Sequence, residues 1–308
     1  SIKEPFDLGM GCSSQSDQKN QKSGIGGGAI KLTIGGELIN NGSIVALGTI
    51  DKNVPRSGGT GGSIWIVAEQ ISGSGKIDAS ACPSTEFTSD QAVSVGSGGR
   101  IAIYTDAPLQ LPVENIACSG MAYSGLNQGS KTKVSGPGTI YIYDSTQENG
   151  TLYVKQSPSV ATLNNVYTST PVVGNIALDA VVMHGYTQLR VVEGSSLILP
   201  SLSAVTSLNQ ESNGASALVY AGGTLNLGGG NQVLKSKVAF SAPAPYTFSG
   251  NLTLEEGAVL GAPVKAFGFD SSYFDITHTI NVKGDLTIPK GAFASATRNC
   301  AYTTGGKT

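Results

Sequence analysis

Gly61-Gly62-Ser63-Ile64-Trp65-Ile66 recurs as Gly98-Gly99-Arg100-Ile101-Ala102-Ile103. In each copy two adjacent glycines lead into a short run with an aliphatic residue at every second place. Two further copies flank the pair: Gly27-Gly28-Ala29-Ile30-Lys31-Leu32-Thr33-Ile34 and Gly136-Pro137-Gly138-Thr139-Ile140-Tyr141-Ile142-Tyr143. The equivalent glycines 28, 62, 99 and 138 are separated by 34, 37 and 39 residues. A period of that size, carried on alternating runs, predicts rungs of β-strand stacked along one axis. Glycine suits the corner of such a rung, where the chain needs either a positive φ or a close approach between backbones. A phosphate-cradling loop needs a helix after it, and alternating strands follow here instead.

Each rung carries a second short segment. Ile44-Val45-Ala46, Ile77-Asp78-Ala79 and Ile116-Ala117-Cys118 follow their rung glycines by 16, 15 and 17 residues. Rung length is therefore nearly constant. The variable parts are the connections, roughly residues 48–57, 80–96 and 119–136, and the pattern predicts that all three leave one corner and project from one edge. In repeat proteins such loops often form the functional surface, and they also collect where insertion costs least. Both readings apply to these loops.

Near residue 150 the pattern changes. Gly150-Thr151-Leu152-Tyr153-Val154 closes the first array, and a polar stretch with Pro158 and Pro171 follows. A second series starts at Gly194, Gly223, Gly250 and Gly284, each glycine preceding an alternating Leu-rich run, at intervals of 29, 27 and 34 residues. The expected architecture is all-β: a right-handed parallel β-helix, or β-solenoid. A Gly-rich array with long edge loops spans 1–154, and a continuing solenoid with shorter loops spans 155–308. No window has helical periodicity. The N-terminal 26 residues read as an irregular lead-in, and the likeness between the two chain ends suggests one segment of a longer tandem array.

Composition narrows the function classes. Gly accounts for 42 of 308 residues, and charged residues for 13%, against usual shares of ~7% and ~25%. With 39% hydrophobic residues there is enough apolar material for a core, so this is not a disordered composition. Net charge is -2 and no basic stripe exists, which removes the electrostatic footprint of a nucleic-acid binder. No apolar run approaches the roughly 20 residues of a bilayer span, so membrane insertion is not expected. Ser1-Ile2-Lys3-Glu4-Pro5 lacks the charged-then-apolar pattern of a secretory leader. Few cysteines, few charges and long polar loops fit an extracellular or cell-surface protein.

The G-G-[SR]-I-[WA]-I, I-x-A and G-P-G-T-I-Y-I strings resemble the Gly-rich parallel β-solenoid repeats of large surface and fibre proteins of bacteria and protists. The resemblance covers residues 24–154 well and the rest loosely. It implies an extracellular structural or adhesive role, with copies of the chain or other surface and fibre subunits as partners. These motifs specify a coil, not a chemistry.

Candidate chemistry lies on the outward positions. Stacking in register places Lys31, Trp65, Ala102 and Tyr141 in one column and Thr33, Val67, Tyr104 and Tyr143 in the next. Trp65, Tyr104, Tyr141 and Tyr143 then form an aromatic stripe, a contact surface suited to sugar rings. The alternative is a stripe covered by a loop or a neighbouring chain, favoured because an exposed apolar strip is a liability unless something binds it.

An enzyme of the polysaccharide lyase or hydrolase type needs convergent carboxylates. Asp78, Glu114, Asp144 and Glu148 do not fall at equivalent rung positions, and Asp270 and Asp275 read as a surface loop. His184 and His278 lie in different rungs without a recognisable nucleophile, so no catalytic residues are assigned. No metal or cofactor is expected, because neither C-x-x-C pairs nor Gly-Asp repeats occur.

Asn41, Asn149 and Asn251 each open an N-x-[ST] sequon and are candidate glycan acceptors. Cys82 and Cys118 fall on neighbouring rungs, about 4.8 Å apart in a stacked sheet. A disulfide between them, or from either to Cys12, is a candidate, as is a bond from Cys300 to a cysteine outside this stretch.

Overall fold

The computed structural model describes residues 1–11, 24–50, 58–82, 95–123, 133–156, 168–185, 187–208, 217–240, 245–261 and 279–295. The protein is all-β and built from several small sheets. Among the described residues its helical elements are two single 3-10 turns, Val113–Asn115 and Leu202–Ala204. Two compact units divide the chain, Ser1–Leu163 and Asn164–Thr308.

The first unit contains β1 (Ala29–Thr33), β2 (Glu37–Ile39), β3 (Ser43–Val45), β4 (Ser63–Ala68), β5 (Gln70–Ser72), β6 (Lys76–Asp78), β7 (Arg100–Thr105), β8 (Ile116–Ala117), β9 (Ala122–Tyr123), β10 (Lys133–Val134), β11 (Thr139–Asp144) and β12 (Thr151–Lys155). Strands β1, β4, β7 and β11 pair in parallel and in register. Ile30, Ile64, Ile101 and Ile140 therefore stand above one another, as do Leu32, Ile66, Ile103 and Ile142. On a second face β2 pairs with β5, setting Leu38 on Ile71. On a third, β3, β6 and β8 stack Ile44, Ile77 and Ile116. These ladders converge on one core in which Ile64, Ile66, Ile71, Ile77, Ile101 and Ile103 have no solvent exposure at all. Full burial of each such side chain contributes about 1.5–3 kcal/mol.

The corner between tail and rung is a repeated backbone bond. Gly62 N–H donates to Ala46 O at 2.8 Å, Gly99 N–H to Ala79 O at 2.8 Å, and Gly138 N–H to Cys118 O at 2.7 Å. Steric closeness, and not a positive φ, makes these positions glycine. A Cβ on Gly62 would lie 1.9 Å from Gly28 O, on Gly99 1.9 Å from Gly62 O, and on Gly138 1.7 Å from Gly99 O. The first glycine of each pair meets a different obstacle, the carbonyl of its own rung's tail: Gly61 against Ala79 O at 1.8 Å and Gly98 against Cys118 O at 2.0 Å. The fourth copy has Pro137 at that place. Its rung has no tail, because after β11 the chain reverses into β12, which pairs antiparallel to it. The closing segment read from the sequence is thus the return strand of a hairpin.

The loop stems also stack. Gly48 N–H donates to Ser80 O and Ala81 N–H to Ser119 O where the loops leave, and Gly61 N–H to Ser97 O and Gly98 N–H to Gly136 O where they return. All three loops start from one corner, and the third contains the antiparallel pair β9 and β10.

In the second unit Thr168–Val172, Thr187–Val192, Ala217–Ala221, Lys237–Phe240, Val259–Gly261 and Phe293–Ser295 form a six-stranded parallel sheet, with Leu189, Leu218, Val238 and Leu260 in register. Ala180–His184 pairs in parallel with Val205–Leu208. The four glycine-led runs expected to stack as one series divide instead between two sheets. Leu197 and Leu225 are register partners in the sheet of Asn175–Ala177, Ser196–Leu199 and Thr224–Leu227. Leu252 lies between Gln232 and Leu286 in the sheet of Gln232–Leu234, Leu252–Leu254 and Leu286–Thr287. A further pair, Tyr246–Phe248 with Ile280–Val282, stands by itself. The 27-residue interval between Gly223 and Gly250 moves the run from one face to another, and that is why the series parts.

Two alanine substitutions distinguish the corner glycines from ordinary ones. Gly99→Ala drives a methyl into the Gly62 carbonyl, and overpacking against backbone costs about 3 kcal/mol or more. Gly36 has open space at its Cβ position and no left-handed φ, so Gly36→Ala stays within about 0.5 kcal/mol of wild type. Urea unfolding of both variants checks the contrast.

Candidate functional site

The aromatic column exists and is covered. Trp65 and Tyr141 flank Ala102, and Tyr143 is the register partner of Tyr104. The Tyr104 ring centroid is 5.6 Å from that of Tyr141 and 5.8 Å from that of Tyr143, both pairs tilted. The Lys31 ammonium sits over the Trp65 ring, 3.5 Å from its centroid, a cation–π contact. Tyr141 is only 1% exposed, and Trp65, Tyr104 and Tyr143 are half-buried.

The cover is the chain's own N-terminal segment, which runs as a strap across successive rungs. Gly9 N–H donates to Gly27 O at 2.8 Å, and Thr60 N–H donates to Met10 O at 3.1 Å. Met10 N–H donates to Thr60 Oγ1 at 2.6 Å, and Ser63 Oγ donates to Asp7 O at 2.6 Å. One rung further, Arg100 Nη1 lies 3.1 Å from Asp7 Oδ2, and Tyr104 Oη donates to Lys3 O at 2.9 Å. The Lys3 ammonium then approaches the Tyr141 ring at 5.2 Å, while the Tyr141 hydroxyl donates to Asn149 O at 2.7 Å. The irregular lead-in is therefore an ordered element over residues 1–11. Sequence reasoning missed Lys3, Asp7 and Arg100. The one signal was Arg100 itself, a charge where the other copies have Ala29, Ser63 and Thr139.

Asp7–Arg100 is an exposed pair, worth about 0–1 kcal/mol, so backbone bonds and ring contacts hold the strap. On its outer side the strap carries Phe6, Leu8 and Met10, 71%, 71% and 74% exposed. Pro5, on the inner side, is buried.

The acidic candidates serve local structure. Asp144 is buried, and its Oδ1 accepts from the Thr146 N–H and hydroxyl, closing the turn that leads back to β12. Asp78 Oδ1 accepts the Ser80 N–H at 2.8 Å. Glu114 lies in the Val113–Asn115 turn. His184 ends the strand Ala180–His184, and His278, Asp270 and Asp275 lie outside the described residues. Among the described residues no group of three or more His, Cys, Asp or Glu could hold a metal ion.

Two of the three sequon asparagines are built into corners. Asn41 Oδ1 accepts the Ser74 N–H at 3.1 Å, and Asn251 Oδ1 accepts the Asp285 N–H at 2.8 Å.

Cys82 and Cys118 are both buried. Cys118 is a free thiol in this structure, its Sγ 3.7 Å from Ala79 O. The Cys118 side chain turns inward along the core and toward Gly138, where a Cβ would meet its sulfur at 2.6 Å. Cys12 and Cys300 lie outside the described residues.

No family model matches the chain, and comparison with curated proteins and with solved structures likewise finds no match. No helix among the described residues is long and apolar enough to cross a membrane.

Burial, reinforced by the Glu4 carboxylate, pushes the Tyr104 hydroxyl up to about 12. The unfolded chain ionises it near ~10, so folding favours the protonated form. That contribution is whole below pH ~10 and is lost as pH rises through about 12. Thermal unfolding of wild type is expected to fall over this window more steeply than that of Tyr104→Phe. At neutral pH the same variant loses about 0.5–1.5 kcal/mol with its bond to Lys3. Burial also raises the Cys118 thiol, with the Asp78 charge adding to the effect. Iodoacetamide is therefore expected to leave Cys118 unmodified in the folded protein and to alkylate it in urea without reductant, as peptide mass spectrometry would show.

Proposed function

We propose that this chain is a structural or adhesive segment of an extracellular surface fibre or filament, and that its rungs form a right-handed parallel β-solenoid. Parallel strands joined by crossovers are right-handed in about 98% of cases. The observation that carries the function is the state of the terminal rungs. In the first unit β1, β2 and β3 each end their sheet order, and Ile30 is 39% exposed where Ile64 and Ile101 of the same ladder have no exposure; Ile39 and Val45, on the outward positions of β2 and β3, are exposed too. In the second unit Ile280–Val282, Leu286–Thr287 and Phe293–Ser295 each end theirs, and Leu286 is 46% exposed. Flat apolar edges with free backbone groups are templates for further strands, and a rung that continues another rung satisfies both.

The partners on this reading are copies of the chain or other subunits carrying the same repeat. Extracellular placement draws on the low charge, the Gly-rich repeat and the polar loops. The apolar outer row of the strap supplies a lateral contact in the same assembly. A glycan-binding stripe at Trp65 and Tyr141 has less support, because Lys31 sits over the Trp65 ring and Lys3 over that of Tyr141.

Negative-stain microscopy and sedimentation of the full chain test the proposal. The expected result is rods or oligomers that lengthen with concentration. Ile39→Lys with Val45→Lys, which charges two edges without touching the core, is expected to abolish them. A monomer at every concentration tested would overturn the reading.

A further inference from the structure

The second unit contains a place where stacking fails on one face only. Ala217–Ala221 pairs in register with Lys237–Phe240, and Gln232–Leu234 pairs in register with Leu252–Leu254. Between these elements in chain order come Thr224–Leu227 and Tyr246–Phe248, which belong to different sheets. A cleft of about 220 Å³ separates them.

Both walls turn backbone groups toward the cleft. Thr224 and Gly228 donate to Ser195 O and Leu199 O, so alternation turns the N–H and C=O of Leu225 and Leu227 toward the cleft. Opposite, Tyr246 N–H donates to Thr279 O and Phe248 O accepts from Lys283 N–H, which turns Thr247's backbone groups inward in the same way. Tyr246 Oη reaches across and donates to Leu225 O at 3.0 Å. Its ring meets that of Phe248 edge-on, centroids 5.0 Å apart.

Asn226, Thr247 and Ser249 stand exposed at the rim, and no lining residue carries a formal charge. The floor is fixed by Gln232, 4% exposed, whose Oε1 accepts the Leu202 N–H and whose Nε2 donates to Gly228 O.

We propose that this cleft is a binding site for one neutral, hydroxyl-rich ring of hexose size, a single glycan residue. The ligand must supply both donors and acceptors, because the edges and the amide and hydroxyl side chains offer both. It must be uncharged, because nothing in the lining would pair with an ion. It must have an apolar face for the half-buried Tyr246 ring. Its size is capped, because the cleft is smaller than the roughly 300–1,000 Å³ of drug-sized pockets. An inserted peptide strand would meet the same edges, but the Tyr246 side chain already crosses its path and holds the Leu225 carbonyl. This site is independent of the rung edges on which assembly depends.

The test uses the full chain and 1H–15N NMR, with the methyl glycosides of glucose, galactose, mannose and N-acetylglucosamine as probes and the peptide Thr-Leu-Asn-Leu as the competing ligand class. At least one glycoside is expected to shift the amides of Leu225, Leu227 and Thr247 saturably at millimolar concentration. Asn226→Ala with Thr247→Ala, both exposed side chains, is expected to weaken it by about tenfold. Unchanged circular dichroism and melting would show that the variant is folded. The proposal is overturned if no glycoside moves these amides, if the double variant binds as wild type does, or if only the peptide shifts them.

Discussion

Everything in the first unit depends on the bond from the second glycine of each pair to the tail carbonyl of the rung beneath. It fixes where a rung begins, and by doing so it fixes register on all three faces at once. A slip of one residue would turn every isoleucine from the core to the outside. The two glycines are forced by different neighbours, the second by the previous rung and the first by the tail of its own rung. Pro137 shows the distinction, since it stands where the tail is missing and only one of the two constraints remains. Because each loop is pinned at departure and at return, its length can vary from rung to rung without disturbing the stack.

The aromatic column follows from the same register. Once Trp65, Ala102 and Tyr141 are aligned, together with Tyr104 and Tyr143 beside them, an apolar strip is unavoidable on the outer face. The molecule covers it with Lys31 over Trp65 and with residues 1–11 over Tyr104 and Tyr141. The interactions used are modest individually: a tyrosine hydroxyl on a carbonyl, an ammonium over a ring, an exposed ion pair. What makes them effective is that they recur along the axis, so the strap adds a second set of ties to the strand hydrogen bonds that already join rung to rung.

Much of this was legible in the sequence because two constraints were written in residue types. Alternating isoleucines gave the inward face, and glycine pairs gave the starts of rungs, so Ile64, Ile101 and Ile140 could be aligned before any coordinates, and Ile44, Ile77 and Ile116 likewise. Elements that depend on distant partners left little trace. Nothing local marks residues 1–11 as ordered, since their bonds are to Thr60, Ser63 and Tyr104. Tyr246–Phe248 is three residues long, preceded by Pro243-Ala244-Pro245, and too short to show a period. The reversal after β11 was signalled only by Pro137 and by Gly150, whose φ of 78° closes the hairpin. The thiols of Cys82 and Cys118 sit on adjacent rungs as read, but adjacency says nothing about direction, and Cys118 is directed along the core.

The strap has a consequence for synthesis. A chain that grows from its N-terminus makes these residues before the rungs, and the surfaces that receive them arrive one after another, the last of them with Tyr141. The rungs can close one after another as they emerge, each on a finished neighbour. The opening segment therefore docks in stages: Gly9 and Met10 find Gly27 and Thr60 once two rungs exist, Asp7 reaches Ser63 and then Arg100, and Lys3 settles over Tyr141 only when the fourth strand is in place.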